Sequence, residues 1–201
     1  SRHILTIEDP IEYIHKDNKS MIIQRCVGED TDFFDIALKH ALRHNPDVIV
    51  VGEMRDFTTI ASALSAAETG HLVLGTLHTL DATETINRIV EVFPSDQQSQ
   101  IKLQLSQVLY AVFSQALVPR IGGGRIPALE IMFCNTPIKN LIREGHIQQI
   151  PGNIQMGKKE GMITLNQYLA DLVMKKLISY DDGKAFATSV SQFETLMNNP
   201  K

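Results

Sequence analysis

No apolar run in these 201 residues approaches the ~20 needed to cross a bilayer. The opening SRHILTIEDP has neither the apolar core of a signal peptide nor an initiator methionine. The expectation is a cytosolic chain that continues upstream of Ser1. Cysteine is scarce: Cys26 and Cys134 stand far apart and form no CxxC pair, so no disulfide framework and no zinc cluster are expected, and both are read as reduced thiols. No basic patch stands out, and a net charge of -4 gives no general attraction to phosphate backbones, which argues against a nucleic-acid partner. Low-complexity stretches are absent too, and 43% hydrophobic with 21% charged residues is the composition of a folded protein. The most informative absence is GxxxxGKS/T, the cradle of backbone amides on which nucleotide phosphates usually sit. Gly122-Gly123-Gly124 does not replace it, because it lacks the lysine and reads as the turn of a hairpin.

What is present is an alternation of strand and helix. HILTI, His3 to Ile7, reads as a short buried strand that runs into an acidic, proline-stopped turn from Glu8 to Glu12. Met21 to Gln24 reads as a second extended piece, after which Thr31 or Asp32 caps a helix with apolar residues at helical spacing, ended by Asn45-Pro46. DVIVV, Asp47 to Val51, is an unbroken run of the kind found in parallel strands covered on both faces. Thr58 to Glu68 reads as a helix stopped at Gly70, and Leu72 to Leu77 as a third apolar strand. This order predicts an α/β fold with a largely parallel sheet flanked by helices, whose ligands bind beyond the carboxyl ends of the strands. Further helices are expected from Ala82 to Val92 and from Pro94 to about Ser114, then a hairpin of Gln115 to Ile121 with Arg125 to Phe133. Thr136-Pro137 as cap and first residue, Thr164 to Lys176 and Tyr180 to Thr188 supply a carboxy-terminal helical subdomain. The boundaries are 1–134 for the core and 135–201 for that subdomain.

Three strand ends carry Glu12, Glu53 and His78. An acid directly after a buried apolar strand is the Walker-B arrangement, in which a rigid sheet holds a carboxylate beside a magnesium-bound triphosphate. On that reading Glu53 is the general base for an attacking water; the alternative is that it opens a solvated turn. His71 and His78 bracket the third strand and lie about 23 Å apart at ~3.3 Å per residue, so they cannot share one ion across it. His78 shares the Glu53 end and is placed to meet a γ-phosphate, or is structural; His71, at the other end, holds a loop or a neighbouring subunit. His40 and His44 form a helical pair with zinc spacing and no evident third ligand. A Walker-B acid without a phosphate cradle leaves two readings, a pseudo-ATPase or a fragment whose cradle lies upstream.

Taken together, these segments resemble the secretion ATPase superfamily, and within it the PilT-type type IV pilus retraction ATPases. HILTIEDPIEY (3–13) resembles the family's Asp box, DVIVVGEMRD (47–56) its Walker B, and AAETGHLVLGTLHT (66–79) its His box. Asn87-Arg88 with Val92-Phe93-Pro94, IGGGR (121–125) and NLIRE (140–144) resemble the retraction branch in particular.

The resemblance implies a RecA-like P-loop NTPase core, truncated before Ser1, from a homo-hexameric motor that hydrolyses ATP with Mg2+ to drive pilus retraction and twitching motility. It implies Glu53 as the catalytic glutamate, Glu12 as an acid that places magnesium or water, and His78 near the γ-phosphate. Asp9, Arg55 and His71 in those boxes, and Arg25 in QRCVG, are the implied nucleotide-binding residues. Cys26 stands where the family's QREVG has an acid. Leu141, Ile142 and Arg143 correspond to a motif tied to retraction, preceded here by Pro137-Ile138-Lys139 instead of Ala-Ile-Arg. A family helix over Gln148 to Met156 is expected to be interrupted by Pro151-Gly152. The implied partners are the pilus machinery and its inner-membrane platform protein, with the motor peripheral to the cytoplasmic face of that membrane. These residues alone are expected to be inactive for lack of the cradle. Alternatives are an accessory PilU-like retraction ATPase, a type II secretion or pilus-assembly ATPase, from which the missing CxxC pairs and the expectation of no zinc set this chain apart, and a non-catalytic ring-assembly module.

Overall fold

The computed structural model describes residues 1–198. In chain order the strands are β1 (His3–Glu8), β2 (Met21–Cys26), β3 (Val48–Val51), β4 (Leu72–Gly75), β5 (Ala111–Pro119) and β6 (Arg125–Phe133). The helices are α1 (Phe34–Ala41), α2 (Phe57–Glu68), α3 (Ala82–Glu91), α4 (Gln98–Val108), α5 (Thr136–Glu144), α6 (Ile150–Met156), α7 (Leu165–Met174), α8 (Tyr180–Phe186) and α9 (Val190–Asn198). They divide into two units: Ser1–His78 with Glu91–Val108, and Thr79–Val90 with the described residues from Leu109 onward.

In the first unit β2, β1, β3 and β4 lie side by side in that order, all parallel. Ile7 pairs with Arg25 and Val51, and Val51 with Gly75, so the carboxyl ends of the four strands come out along one edge. Leu5, Ile7, Ile49 and Val51 bury themselves against Ala37, Leu38 and Ala41 of α1 and Ala63 and Ala66 of α2. The apolar runs serve that one packed face, and coverage of both faces does not extend to β4, where Leu72 and Leu74 remain 51% and 50% exposed.

Local chemistry explains where the elements begin and end. Neither Thr31 nor Asp32 caps α1: Thr31 is tied into the preceding turn, with its carbonyl accepting Gly28 N–H at 2.7 Å, and Phe33 takes the cap position without a side-chain bond. Helix α2 starts one residue earlier than expected because Asp56 caps it, accepting Thr59 N–H at 2.8 Å. Strand β4 stops at Gly75, where Met54 N–H bonds the Thr76 carbonyl at 3.0 Å and the chain leaves the sheet.

In the second unit β5 and β6 form an antiparallel hairpin. Its turn needs left-handed backbone at three successive residues, and Gly122, Gly123 and Gly124 supply it with φ of 91°, 105° and 75°. Strand β5 begins at Ala111, not at Gln115, and α4 ends at Val108: buried Val112 and Ser114 alternate with exposed Phe113 and Gln115, a period of two that the helical reading missed. Val118 and Ala128 of the hairpin pack with Leu165, Leu169 and Leu172 of α7, Ile178 and Phe193 of α9. Asn135, not Thr136, caps α5 by accepting Ile138 N–H at 3.2 Å. Pro151 opens α6 and does not interrupt it, because in the first turn its missing N–H has no intrahelical partner to lose. Helix α7 carries a reciprocal cap between Thr164 and Gln167. Helix α9 lies beyond the last expected helix. Among the described residues no helix is long and apolar enough to cross a membrane.

Candidate active site

The carboxyl edge of the first unit's sheet carries a hollow of about 270 Å³ lined by Asp9, Asp35, Glu53, Arg55, Asp56 and apolar Val27, Phe33 and Phe34, among others. Glu53 follows β3 directly and is held there by backbone. On one side Gly52 N–H donates to the Ile7 carbonyl at 2.8 Å, and on the other Met54 N–H donates to the Thr76 carbonyl at 3.0 Å. The Thr76 hydroxyl also donates to the Gly52 carbonyl. The Glu53 carboxylate, 21% exposed, takes the Arg55 guanidinium at 2.7 Å and has His78 Nε2 3.8 Å away. The His78 ring is 77% exposed, so that second contact is weak in water.

Each acid around the hollow has a different duty. Asp35 pairs with Lys39 at 2.8 Å within α1. Asp56 caps α2; burial pushes its carboxyl up, but bonds from the Thr58 and Thr59 hydroxyls and backbone outweigh this and hold it below the ordinary carboxylate value. Glu8, at the end of β1, behaves alike: burial raises it, and donors from Thr6, Gln24 and the Glu12 backbone bring it below its ordinary value. Four carboxylates against one guanidinium repel a bare triphosphate. The donors are carboxylate oxygens, which suit a hard cation. That pattern fits magnesium, which is commonly held by one or two carboxylates together with substrate phosphates.

The expected site residues separate. Asp9, Glu53 and Arg55 meet around the hollow and His78 joins Glu53. Glu12 is exposed in the loop after β1 and does not line the hollow. Arg25, on β2, approaches His44 Nε2 at 3.1 Å, which occupies one member of the His40–His44 pair. His71 lies at the other end of β4, where Nδ1 sits 3.1 Å from the Thr69 hydroxyl and 3.2 Å from the Ala66 carbonyl, at the end of α2. In the second unit, Ile142 is fully buried in α5, Leu141 is half-buried, and exposed Arg143 bonds Asn140 Oδ1 at 3.0 Å. Cys134 is buried there as well, which pushes its thiol up to about 12.

Sequence reasoning passed over Thr6, Glu8, Gln24 and Thr76, which support the strand ends. The signals were present. Thr6 and Glu8 stand two apart on a strand, hence on one face, and Gln24 is a polar residue in the apolar run MIIQ.

A family model described as type II/IV secretion system protein matches residues 1–158. The chain is 50% identical over 191 residues to the type IV pilus retraction ATPase PilT of Pseudomonas aeruginosa, covering 95% of this chain and 56% of that one. It is 41% identical over 197 residues to the type IV pilus ATPase PilU of the same organism, covering 97% of this chain and 51% of that one. The crystal structure of the pilus retraction motor PilT with bound ADP superimposes with a TM-score of 0.90 at 51% identity, over 97% of this chain and 55% of the other. The fold is therefore that of the RecA-like secretion ATPases, and the chain spans about half the length of the relatives it matches.

Proposed function

We propose, because the chain belongs to the type II/IV secretion system protein family, that it is the carboxy-terminal ATPase portion of a hexameric motor that hydrolyses ATP to power type IV pilus retraction. One observation carries this reading: the carboxylate of Glu53, pinned at the end of β3 within an acidic hollow, beside Arg55 and His78. The higher identity to PilT than to PilU, 50% against 41%, favours the retraction ATPase over its accessory counterpart.

In this reading Glu53 accepts the proton of the attacking water as the water's oxygen forms its bond to the γ-phosphorus and the bond to the bridging oxygen breaks. His78 and Arg55 stabilise the charge that builds on the phosphoryl oxygens, and Arg55 exchanges its Glu53 partner for phosphate. Glu53 and Asp9 would hold Mg2+ through water, and the ion would neutralise phosphate charge; Glu12, exposed in the same loop outside the hollow, would join them only if nucleotide binding drew the loop inward. Arg25 and His71 act outside the hollow, in contacts between subunits. Activity belongs to a chain that also carries an amide cradle for the phosphates. Arg143, open to solvent on α5, couples hydrolysis to the pilus machinery at the cytoplasmic face of the inner membrane, where the motor docks without inserting.

The test is expression of the full-length protein in a bacterium stripped of its own retraction ATPases. Restored twitching supports the proposal. Restoration only when a second retraction ATPase is present moves the assignment to the accessory type, and pilus assembly without retraction overturns it.

A further inference from the structure

Gln24 is a half-buried polar residue that follows the apolar Met21-Ile22-Ile23 on β2, and the hydrolysis proposed above makes no use of it. Its amide makes three bonds at once. Oε1 accepts His15 N–H at 2.7 Å, while Nε2 donates to the Tyr13 carbonyl at 2.9 Å and to Glu8 Oε1 at 3.0 Å. The Thr6 hydroxyl donates to that same Glu8 oxygen at 2.6 Å. Residues 9–20, which lie between β1 and β2, form neither helix nor strand, and 12–19 are exposed. Packing therefore gives most of this loop no reason to keep one conformation. Its fixed points beyond Glu12 are the Tyr13 carbonyl and the His15 N–H; at its far end Asp17 Oδ1 accepts Ile22 N–H at 2.8 Å.

We propose that Gln24 and Glu8 form a positioning bracket that holds the loop bearing Asp9 and Glu12 in register with the end of β3. Neither residue touches substrate; Gln24 acts through backbone groups of the loop, and Glu8 acts through Gln24. The inference rests on the ATPase reading of the site. Glutamine suits the task because one end of its amide accepts while the other donates, which neither a carboxylate nor an ammonium does. Glu8, although it ends β1 as Glu53 follows β3, has its Oε1 engaged by the Thr6 hydroxyl and the Gln24 amide and serves as an anchor and not as a metal ligand.

The test uses the full-length protein with Gln24→Glu, a change of nearly equal size that keeps the acceptor for His15, removes both donated bonds and sets carboxylate against carboxylate. A displacement of about 1 Å in a catalytic group costs up to ~10²-fold. The expected result is a kcat for MgATP hydrolysis about 10- to 100-fold lower, MgADP affinity by calorimetry unchanged within about twofold, and faster hydrogen exchange in residues 9–20. Combining Gln24→Glu with Glu8→Gln exchanges donor and acceptor between the two positions, restoring the bond between them but not the one to the Tyr13 carbonyl, and recovers part of the lost kcat. A wild-type kcat in the single variant, or no recovery in the double, overturns the bracket. Should the unaltered protein not hydrolyse ATP, the ATPase reading fails, and exchange rates in the loop still decide the bracket: unchanged protection in Gln24→Glu overturns it.

Discussion

Gly52 sits between β3 and Glu53, and replacing it with alanine sets two effects of known size against each other. A Cβ there would lie 3.0 Å from the Ile7 carbonyl oxygen and 3.2 Å from the Glu8 Cα, both backbone atoms of the neighbouring strand. Neither can rotate away, and Gly52 N–H is already bonded to that Ile7 oxygen at 2.8 Å, so β1 and β3 must part by a few tenths of an ångström. Overpacking of this kind costs ~1–3 kcal/mol. Removing a glycine from the unfolded chain returns only ~0.4–1 kcal/mol. The steric effect wins, and Gly52→Ala is expected to destabilise the first unit by about 1–2 kcal/mol, a fall in Tm of roughly 4–8 °C per kcal/mol for a unit of this size. The control is Gly152→Ala in α6, whose Cβ meets nothing within 4 Å, and which is expected to gain about 0.5–1 kcal/mol. Urea unfolding followed by far-UV circular dichroism, with hydrogen exchange to assign the change to β1 and β3, reads both. A Gly52→Ala protein as stable as the unaltered one would refute the close approach of strands on which the placement of Glu53 depends.

Burial raises the Glu130 carboxyl despite bonds from Ala82 N–H at 2.9 Å and Leu165 N–H at 3.4 Å, and nearby Asp81 raises it further. The folded chain therefore holds that proton up to a higher pH than the unfolded chain does. Stability of the second unit should decline as pH rises from the ordinary carboxylate range through the raised value, and Glu130→Gln should flatten that decline in thermal melts; an unchanged slope sinks the assignment. In the first unit Glu8 and Asp56 act with opposite sign, since their lowered values add stability above the ordinary range that is lost as pH falls through them. Arg143→Ala, at an exposed side chain, should spare ATP hydrolysis and impair retraction. Ile142→Ala, at a fully buried one, should lose ~2–5 kcal/mol of stability and both activities together, and equal damage from the two changes would end the separation of roles. These 201 residues by themselves should bind MgATP weakly for want of an amide cradle, and micromolar affinity by calorimetric titration would contradict that.

Periodicity carried the first unit well, because β1, β3 and α2 announce themselves through continuous apolar or alanine-rich runs that one packed face demands. It failed where two periods overlap. VLYAVFS satisfies a helix as readily as a strand, and only pairing with Arg125–Phe133 decides that β5 begins at Ala111. Caps were misplaced by one residue at α5 because Asn135 and Thr136 are equally able acceptors and only the backbone angle selects the former. In the site, the register of a parallel sheet brings Glu53 and His78 to one edge, and that was legible from strand ends alone. That Asp9 lines the hollow while Glu12 stands outside it was not, since a loop between strands has no period to read; the resemblance named both. The roles of Gln24 and Thr76 depend on bonds to backbone groups 11 and 24 positions away in sequence, which no local pattern encodes.

The central claim is that Glu53 is the base of an ATPase, and steady-state MgATP hydrolysis by the full-length protein, unaltered and as Glu53→Gln, tests it most directly. Loss of a positioned general base costs ~10²–10⁴-fold, so the account predicts a fall of that size with nucleotide affinity retained. Hydrolysis at the unaltered rate in Glu53→Gln would contradict it.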